Sequence, residues 1–398
     1  MKKKYMNNIK YKNDTNIILA GKDKNNEPSF VNSPIHRGST VLFKNVADMK
    51  KNIKNKNSQI LSYGRFGSPS TFEFERAIAK IDEGYSAVAT SSGTAAIVAS
   101  LLAVLKTGDH ILMTDSAYGV SRNLAKGLLS NMGITTTFYK PNIGKEITNL
   151  IQLNTKLIFM ESPGSLTFEI QDIPLLVELA KKHNLITIID NTWATSLFFK
   201  PFYNGIDISI QSATKYIVGH SDAMLGVITT NKKYTSCIRE AAHNLGSCPG
   251  PEDIYLGIRG LKTLSIRLQK HQENAFKVIE WLKTQQEVNK ILYPAMPDNI
   301  GYKIWKRDFI GASGLFGITL KNTKKSLVNK MLNNLKLFNM GYSWGGYESL
   351  ILPVEPEKLR ETYNWENNCG NLRLHIGLED PDDLINDLKD NFTILKGI

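Results

Sequence analysis

In the run Asp207–Gly226, DISIQSATKYIVGHSDAMLG, Lys215 follows an apolar, β-branched stretch and precedes a Gly-His turn. A lysine resists burial because its ammonium is strongly hydrated, and desolvation lowers its pKa. Either Lys215 lies on a solvated loop or the site uses an amine. Asp190 ends another apolar run, LITIIDNTWAT, 25 residues earlier. Alone it reads as a turn carboxylate or a helix cap. Beside an amine, on a neighbouring strand end, it reads as a carboxylate held near a cationic ring nitrogen.

Other segments supply complementary groups. TSSGTAAIVASLL (Thr90–Leu102) is a small-residue loop entering a helix. Backbone N–H groups at a helix start lack intrahelical partners and sit at the positive end of the dipole, so they bind anions. Gly93 permits close approach there, although a plain serine cap fits the same residues. Ser212 and Thr214 can add hydroxyl donors to the same phosphate. SYGRFGSPST brings Tyr63 and Arg65, and arginine suits phosphate by its fork geometry. Tyr118, in TDSAYG, can stack on a planar group and assist proton transfer, or simply pack at the rim. Arg373 lies inside the strand-like NLRLHIGLED. Buried there it requires a partner, either a structural acid or a substrate α-carboxylate held by a bidentate pair. An amine, an acid, a phosphate cradle, a stacking aromatic and a carboxylate clamp together are what pyridoxal phosphate (PLP) chemistry needs.

Such residues must be carried by strand ends. HILMTD, ITTTFYK, KLIFMES, LITIIDN, DISIQS and AMLGVITT read as strands between residues 110 and 230, with helical candidates SRNLAKGLLSNM and DIPLLVELAKKH between them. Alternating strands and helices predict an α/β fold with a mostly parallel sheet covered on both faces. Ligands of such sheets bind beyond the carboxyl ends of the strands. The turn Pro249-Gly250-Pro251 opens one long helical pattern, residues 252–285, and marks a boundary. The expected organisation is an N-terminal arm over 1–60, a cofactor-binding α/β domain over 61–250 and a smaller α+β domain over 251–398.

Composition narrows the classes. The 398 residues are 42% hydrophobic and 22% charged, an ordinary globular balance. The longest apolar helix-like run, TAAIVASLLAVL, is too short for a bilayer, and no apolar segment follows the basic N-terminus. A cytoplasmic protein without membrane association is expected. Cys237, Cys248 and Cys369 are widely spaced, with no CxxC pair and no metal-ligand pattern. Of the net charge of +12, residues 1–60 carry +9, from 13 Lys/Arg against 4 Asp/Glu. With no nucleic-acid-binding motif beside them, these lysines read as a solvated arm.

The stretch DISIQSATKYIVGHS resembles, along its whole length, the lysine signature of the Cys/Met-metabolism PLP enzymes, and YGRFGSPS, ESPGSLTFEIQDIP and DNTWAT stand in the family's order. The resemblance runs from SPIHRGST to LHIGLEDPDDL and implies a fold-type I, transferase-like architecture. It implies Lys215 as the Schiff-base lysine, Asp190 at the pyridine nitrogen and Tyr118 stacked on the ring. Gly93, Thr94, Ser212 and Thr214 would hold the phosphate, joined by Tyr63 and Arg65 of a neighbouring subunit in a homotetramer built as a dimer of dimers. Ser343 and Arg373 would take the substrate α-carboxylate. GYSWGGYESL resembles the β-lyase branch, with Tyr342, Ser343 and Trp344 shaping the pocket, where γ-type members have SLGG. Val120 stands where methionine γ-lyases carry cysteine after the Tyr-Gly. The implied activity is β-elimination of L-cystathionine or related cysteine S-conjugates, a transsulfuration step of methionine biosynthesis. The alternatives are γ-elimination or γ-replacement on the same scaffold, amino-acid racemisation, and a catalytically silent nucleic-acid-binding chain. In Thr94 and in the YGRFGSPS loop this sequence departs from the usual family pattern.

Overall fold

The computed structural model describes residues 11–21, 30–54, 59–321, 323–362, 365 and 370–396. Seven strands form the larger sheet: β1 Ser86–Thr90, β2 His110–Thr114, β3 Thr135–Tyr139, β4 Thr155–Glu161, β5 Ile186–Asp190, β6 Ile208–Gln211 and β7 Gly226–Thr230. Their spatial order is β1-β7-β6-β5-β4-β2-β3. β3, β2, β4, β5 and β6 run parallel, while β7 is antiparallel to both β6 and β1. The two reversals restore direction, so β1 also ends at the edge where β2, β4, β5 and β6 end.

The apolar runs are continuous because both sheet faces are covered. With a side-chain period of two, neighbours on one strand divide between cores. Ile158 and Met160 enter one cluster, and Leu157 and Phe159 the other. Helices Gly93–Leu102 and Thr235–Asn244 lie on the second side, and Ile173–Lys182 on the first. All six strands expected from the sequence are present, and β1 is an addition. Its SAVAT run is short and small-sided, so it carries little hydrophobic signal. It is placed by pairing with β7.

The smaller sheet comprises β8 Val288–Leu292, β9 Leu315–Leu320, β10 Leu350–Pro353 and β11 Asn371–His375, all antiparallel in the order β10-β11-β9-β8. The long helical pattern that starts near Pro251 is two helices, Pro251–Leu261 and Leu264–Lys283. Gly260 explains the break. A Cβ there would meet the Ile217 carbonyl at 2.2 Å, so the first helix is pressed onto the loop after Lys215. Arg267 then bonds the Tyr216 and Gly260 carbonyls, at 2.7 and 2.8 Å. The expected helix over 121–132 is also subdivided, into Gly119–Leu124 and a wider π turn at Ala125–Leu129.

A shared hydrophobic cluster joins the sheets, with Ile158, Met160 and Ile189 packed among Tyr293, Phe316 and Leu374, and polar contacts reinforce it on two sides. Trp193, just after β5, packs on Tyr293 and Phe309 and donates from Nε1 to the Leu315 carbonyl at 2.9 Å. On the other side Asp115, just after β2, accepts from Arg122 and from Glu361 and Thr362 of the smaller lobe. Among the described residues no helix is long and apolar enough to cross a membrane.

Candidate active site

Parallel register brings the sequence-predicted groups together. Asp190 is opposite Ile210 of β6 on one side and Glu161 of β4 on the other. Lys215 sits on the turn after β6. Its Nζ donates to Ser343 Oγ at 2.8 Å and stands 5.4 Å from the Trp344 ring centre. The amine is mostly enclosed. Burial, then the positive charge of Arg373, lower its pKa to about 8, against the opposing pull of Asp190. The lysine is therefore no solvated surface residue: burial leaves a far larger share of it neutral near physiological pH than a free lysine has, as an amine nucleophile or base requires.

Asp190 is 8% exposed, and its Oδ1 accepts from the backbone N–H and hydroxyl of Thr192 at 2.9 and 2.5 Å. Thr192 Oγ1 in turn accepts from Ser212 N at 2.9 Å, tying the β5 and β6 ends together. Oδ2 has no hydrogen bond among the described residues. Burial raises the Asp190 pKa, while the Thr192 bonds and Lys215 lower it. A cationic ring nitrogen at Oδ2 would hold the carboxylate ionised.

The helix start after β1 supplies the anion cradle. Ser92 caps it by accepting from Ala95 N at 3.1 Å, so the plain serine cap is present too. The N–H groups of Gly93 and Thr94 make no hydrogen bond among the described residues. A Cβ on Gly93 would stand 2.6 Å from the Cβ and Oγ of Ser212, so only glycine lets the two segments meet. Thr214 differs from expectation in detail. Its hydroxyl donates to Leu225 O and accepts from Leu225 N, at 3.1 and 2.9 Å, bracing the lysine turn.

Tyr118 starts the helix after β2, is 47% exposed, and donates its backbone N–H to Glu161 Oε2 at 2.7 Å. Burial of part of the ring and the charges of Glu161 and Asp190 raise its pKa, so the phenol stays protonated. Arg373 lies in β11 between β10 and β9 and donates to the carbonyls of Ser343 and Gly341, at 2.9 and 3.3 Å. It has no carboxylate partner among the described residues, which leaves its charge for a ligand. Tyr342 is 96% exposed, so within one chain it does not line the pocket as the sequence reading placed it. Arg65 is exposed and bonds the His243 carbonyl of its own chain while lying over Phe66, and Tyr63 is 45% exposed. Neither touches its own chain's cradle.

Two participants escaped the sequence reading. Glu161 ends the strand-like KLIFMES as Asp190 ends LITIIDN, and the same strand-end argument would have found it. Burial and the adjacent Asp190 push its pKa well up, so Glu161 holds its proton more readily than a free carboxylic acid. Thr192 acts through its bonds to Asp190 and Ser212 and left no spacing signal. The donor set suits PLP: an amine of lowered pKa, a carboxylate with an oxygen that bonds nothing among the described residues, and a glycine-permitted anion cradle beside a serine.

Similarity to known proteins agrees with this geometry. Residues 14–393 match the family model described as Cys/Met metabolism PLP-dependent enzyme. The chain is 42% identical to the cystathionine beta-lyase MetC of Escherichia coli (strain K12), over 95% of this chain and 98% of that one. It is 36% identical to the L-alanine/L-glutamate racemase of Wolbachia pipientis wMel, over 95% and 96%. Among solved structures, the cystathionine gamma-lyase of Lactobacillus plantarum complexed with L-serine superposes with a TM-score of 0.87 at 29% identity, covering 97% of this chain and 100% of that one. The chain belongs to the Cys/Met-metabolism PLP-dependent enzymes.

Proposed function

We propose that the chain is a PLP-dependent carbon–sulfur lyase that cleaves the β-carbon–sulfur bond of L-cystathionine, giving homocysteine, pyruvate and ammonia. The observation that carries this reading is the contact of Lys215 Nζ with Ser343 in the Tyr342-Ser343-Trp344 run, beside the unpaired Arg373. Full-length relatives named cystathionine beta-lyase, at 36–42% identity, support it. The reading places the activity in methionine biosynthesis, in the cytoplasm.

Bound PLP supplies a conjugated, protonated pyridine ring that withdraws electrons from the substrate α-carbon. The Gly93 and Thr94 N–H groups and Ser212 would hold its phosphate, and Asp190 would hold its ring nitrogen. Tyr118 provides the stacking face; with its phenol protonated it is a poor base. The α-proton therefore goes to the Lys215 amine. As the carbon–sulfur bond breaks, its electron pair leaves with sulfur, and Lys215 returns the proton there. The three-carbon fragment hydrolyses to pyruvate and ammonia. Arg373 fixes the α-carboxylate, and the Ser343 hydroxyl orients Lys215.

The assembly is read as a homotetramer whose sites are shared between subunits. Phe30 and Leu42, both 92% exposed, and Val46, 62% exposed, give the N-terminal segment an apolar surface that its own chain leaves open. Tyr63 and Arg65 follow that segment and are placed at a neighbour's phosphate. We set the division between the two lobes near residue 250, with residues 1–60 as the arm.

The test is to give the PLP-loaded protein L-cystathionine and identify the keto acid. Pyruvate with homocysteine is expected; 2-oxobutyrate with cysteine would assign γ-elimination instead. The racemase relative gives a second product to follow, D-alanine from L-alanine, since Lys215 on one side and the protonated phenol of Tyr118 on the other could reprotonate the α-carbon from either face.

A further inference from the structure

A buried group of rings lies directly beneath Lys215. Tyr216, the next residue, is 1% exposed, and its ring stands 5.3 Å from His271, 5.5 Å from Trp344 and 5.9 Å from His375. The two histidines are themselves 5.2 Å apart and fully buried. None of the proton transfers above uses them. His375 has a specific contact: its Nε2 is 3.1 Å from Gly345 N and 3.1 Å from Gly346 O. Whichever tautomer the ring adopts, it bonds this backbone, accepting from Gly345 or donating to Gly346.

The backbone held there is the one that carries Ser343. Gly345 has φ +86°, and a Cβ on it would lie 3.0 Å from Lys215 C and Tyr216 N. The pocket loop thus rests on the main chain of the lysine itself, with no room for a side chain between. A second tie runs from Ser221, on the turn after Lys215, to Glu348 at 2.5 Å. On β11, Arg373 and His375 are two residues apart and so share one face. The first bonds the loop at Gly341 and Ser343, the second at Gly345 and Gly346.

We propose that His375 is a positioning residue: by holding Gly345 and Gly346 against the Lys215 turn it sets the Ser343–Lys215 contact and the cover that Trp344 places over the amine. This rests on the reading of Lys215 and Ser343 as active-site groups, not on which sulfur amino acid is the substrate. A neutral imidazole suits the place. It reaches the backbone with one ring nitrogen, packs its face on Tyr216 and brings no charge beside Lys215, Arg373 and Arg267.

The test compares His375→Leu with His375→Gln, whose amide can replace the ring nitrogen. The Lys215 amine is titrated in the cofactor-free chain by residue-resolved labelling with an amine reagent, and kcat and KM for L-cystathionine are measured on the PLP-loaded protein. For His375→Leu the expected results are a labelling midpoint that moves up from about 8 toward that of free lysine, and a fall in kcat/KM of about 10²-fold, the scale of a 1 Å misplacement. His375→Gln should recover most of both. Gly345→Ala, which displaces the same loop from the other side of that bond and leaves the imidazole itself in place, should move the midpoint the same way. Unchanged midpoint and kcat/KM in His375→Leu, with only the melting temperature lowered, would overturn the proposal. Should the unaltered protein fail to turn over cystathionine, the lyase reading falls, and the labelling midpoints alone decide the role of His375.

Discussion

Lys215 has its pKa lowered chiefly by burial, with Arg373 adding to the effect and Asp190 opposing it. Its folded-state pKa, about 8, is below the ordinary lysine value, so between the two the folded chain holds fewer protons than the unfolded one. Raising pH through that window stabilises the folded form, and lowering it below about 8 charges the amine. Only the neutral amine attacks the PLP aldehyde. Uptake of PLP by the cofactor-free chain should therefore slow as pH falls below about 8 and level off above it, as stopped-flow absorbance would record. An uptake rate flat from pH 6 to 9 would contradict this. Replacing Asp190 by Asn removes the charge that favours a protonated ring nitrogen. Loss of one such electrostatic group commonly costs ~10²–10³ in rate, and kcat should fall by about that factor, as steady-state pyruvate assays would measure, while far-ultraviolet circular dichroism stays unchanged.

At the scale of elements, the parallel strands do the positioning. The register Glu161–Asp190–Ile210 was not legible in the sequence, yet the strand-end rule placed Asp190 and Lys215 at one edge because both follow apolar runs that can only be central strands. The helix break at Lys262–Thr263 was missed because the pattern is apolar and periodic through it. The break is imposed by the backbone of the Lys215 turn against Gly260, a tertiary contact. Gly93 was legible as a close-approach residue, though its neighbour, Ser212, was not. Gly93→Ala forces that contact to open. It should weaken PLP binding by at least tenfold, as measured by fluorescence titration of the cofactor-free protein, with a melting temperature of the unliganded chain altered far less. Equal PLP affinity in Gly93→Ala would show that this helix start is not the phosphate site.

For the whole molecule, one hydrophobic core joins the larger sheet to the smaller one, with Ile158, Met160 and Ile189 in the same cluster as Tyr293, Phe316 and Leu374, and buried polar contacts add to it. Asp115 is fully buried and accepts from Arg122, Glu361 and Thr362. These bonds hold its pKa low despite burial. Removing the carboxylate leaves Arg122 with Glu361 and the Asp115 carbonyl as partners, so the loss is that of buried hydrogen bonds to a charged group, about 1.5–3 kcal/mol. Asp115→Ala should lower the unfolding free energy by that order in a denaturant titration, and because Asp115 precedes Tyr118 by three residues, it should also perturb the spectrum of bound PLP. Nothing in the sequence joined Asp115 to residues 361 and 362, since long-range pairs leave no periodicity. By contrast Lys215, Asp190 and Arg373 were legible because each is an unusual residue type for its local pattern, while Ser343 was named only through the resemblance that GYSWGGYESL carries. Tyr342, taken together with its neighbours, was read into a pocket that the single chain does not give it.

The account turns on Lys215 being the amine that takes the cofactor and moves the proton. The most direct measurement is borohydride reduction of the PLP-loaded protein followed by peptide mapping, with pyruvate release from L-cystathionine assayed in parallel for Lys215→Ala. The account predicts the reduced cofactor on the peptide containing Lys215 and a loss of pyruvate release greater than about 10³-fold, beyond the cost of a single electrostatic group. Cofactor trapped on another lysine, or full turnover in Lys215→Ala, would contradict it.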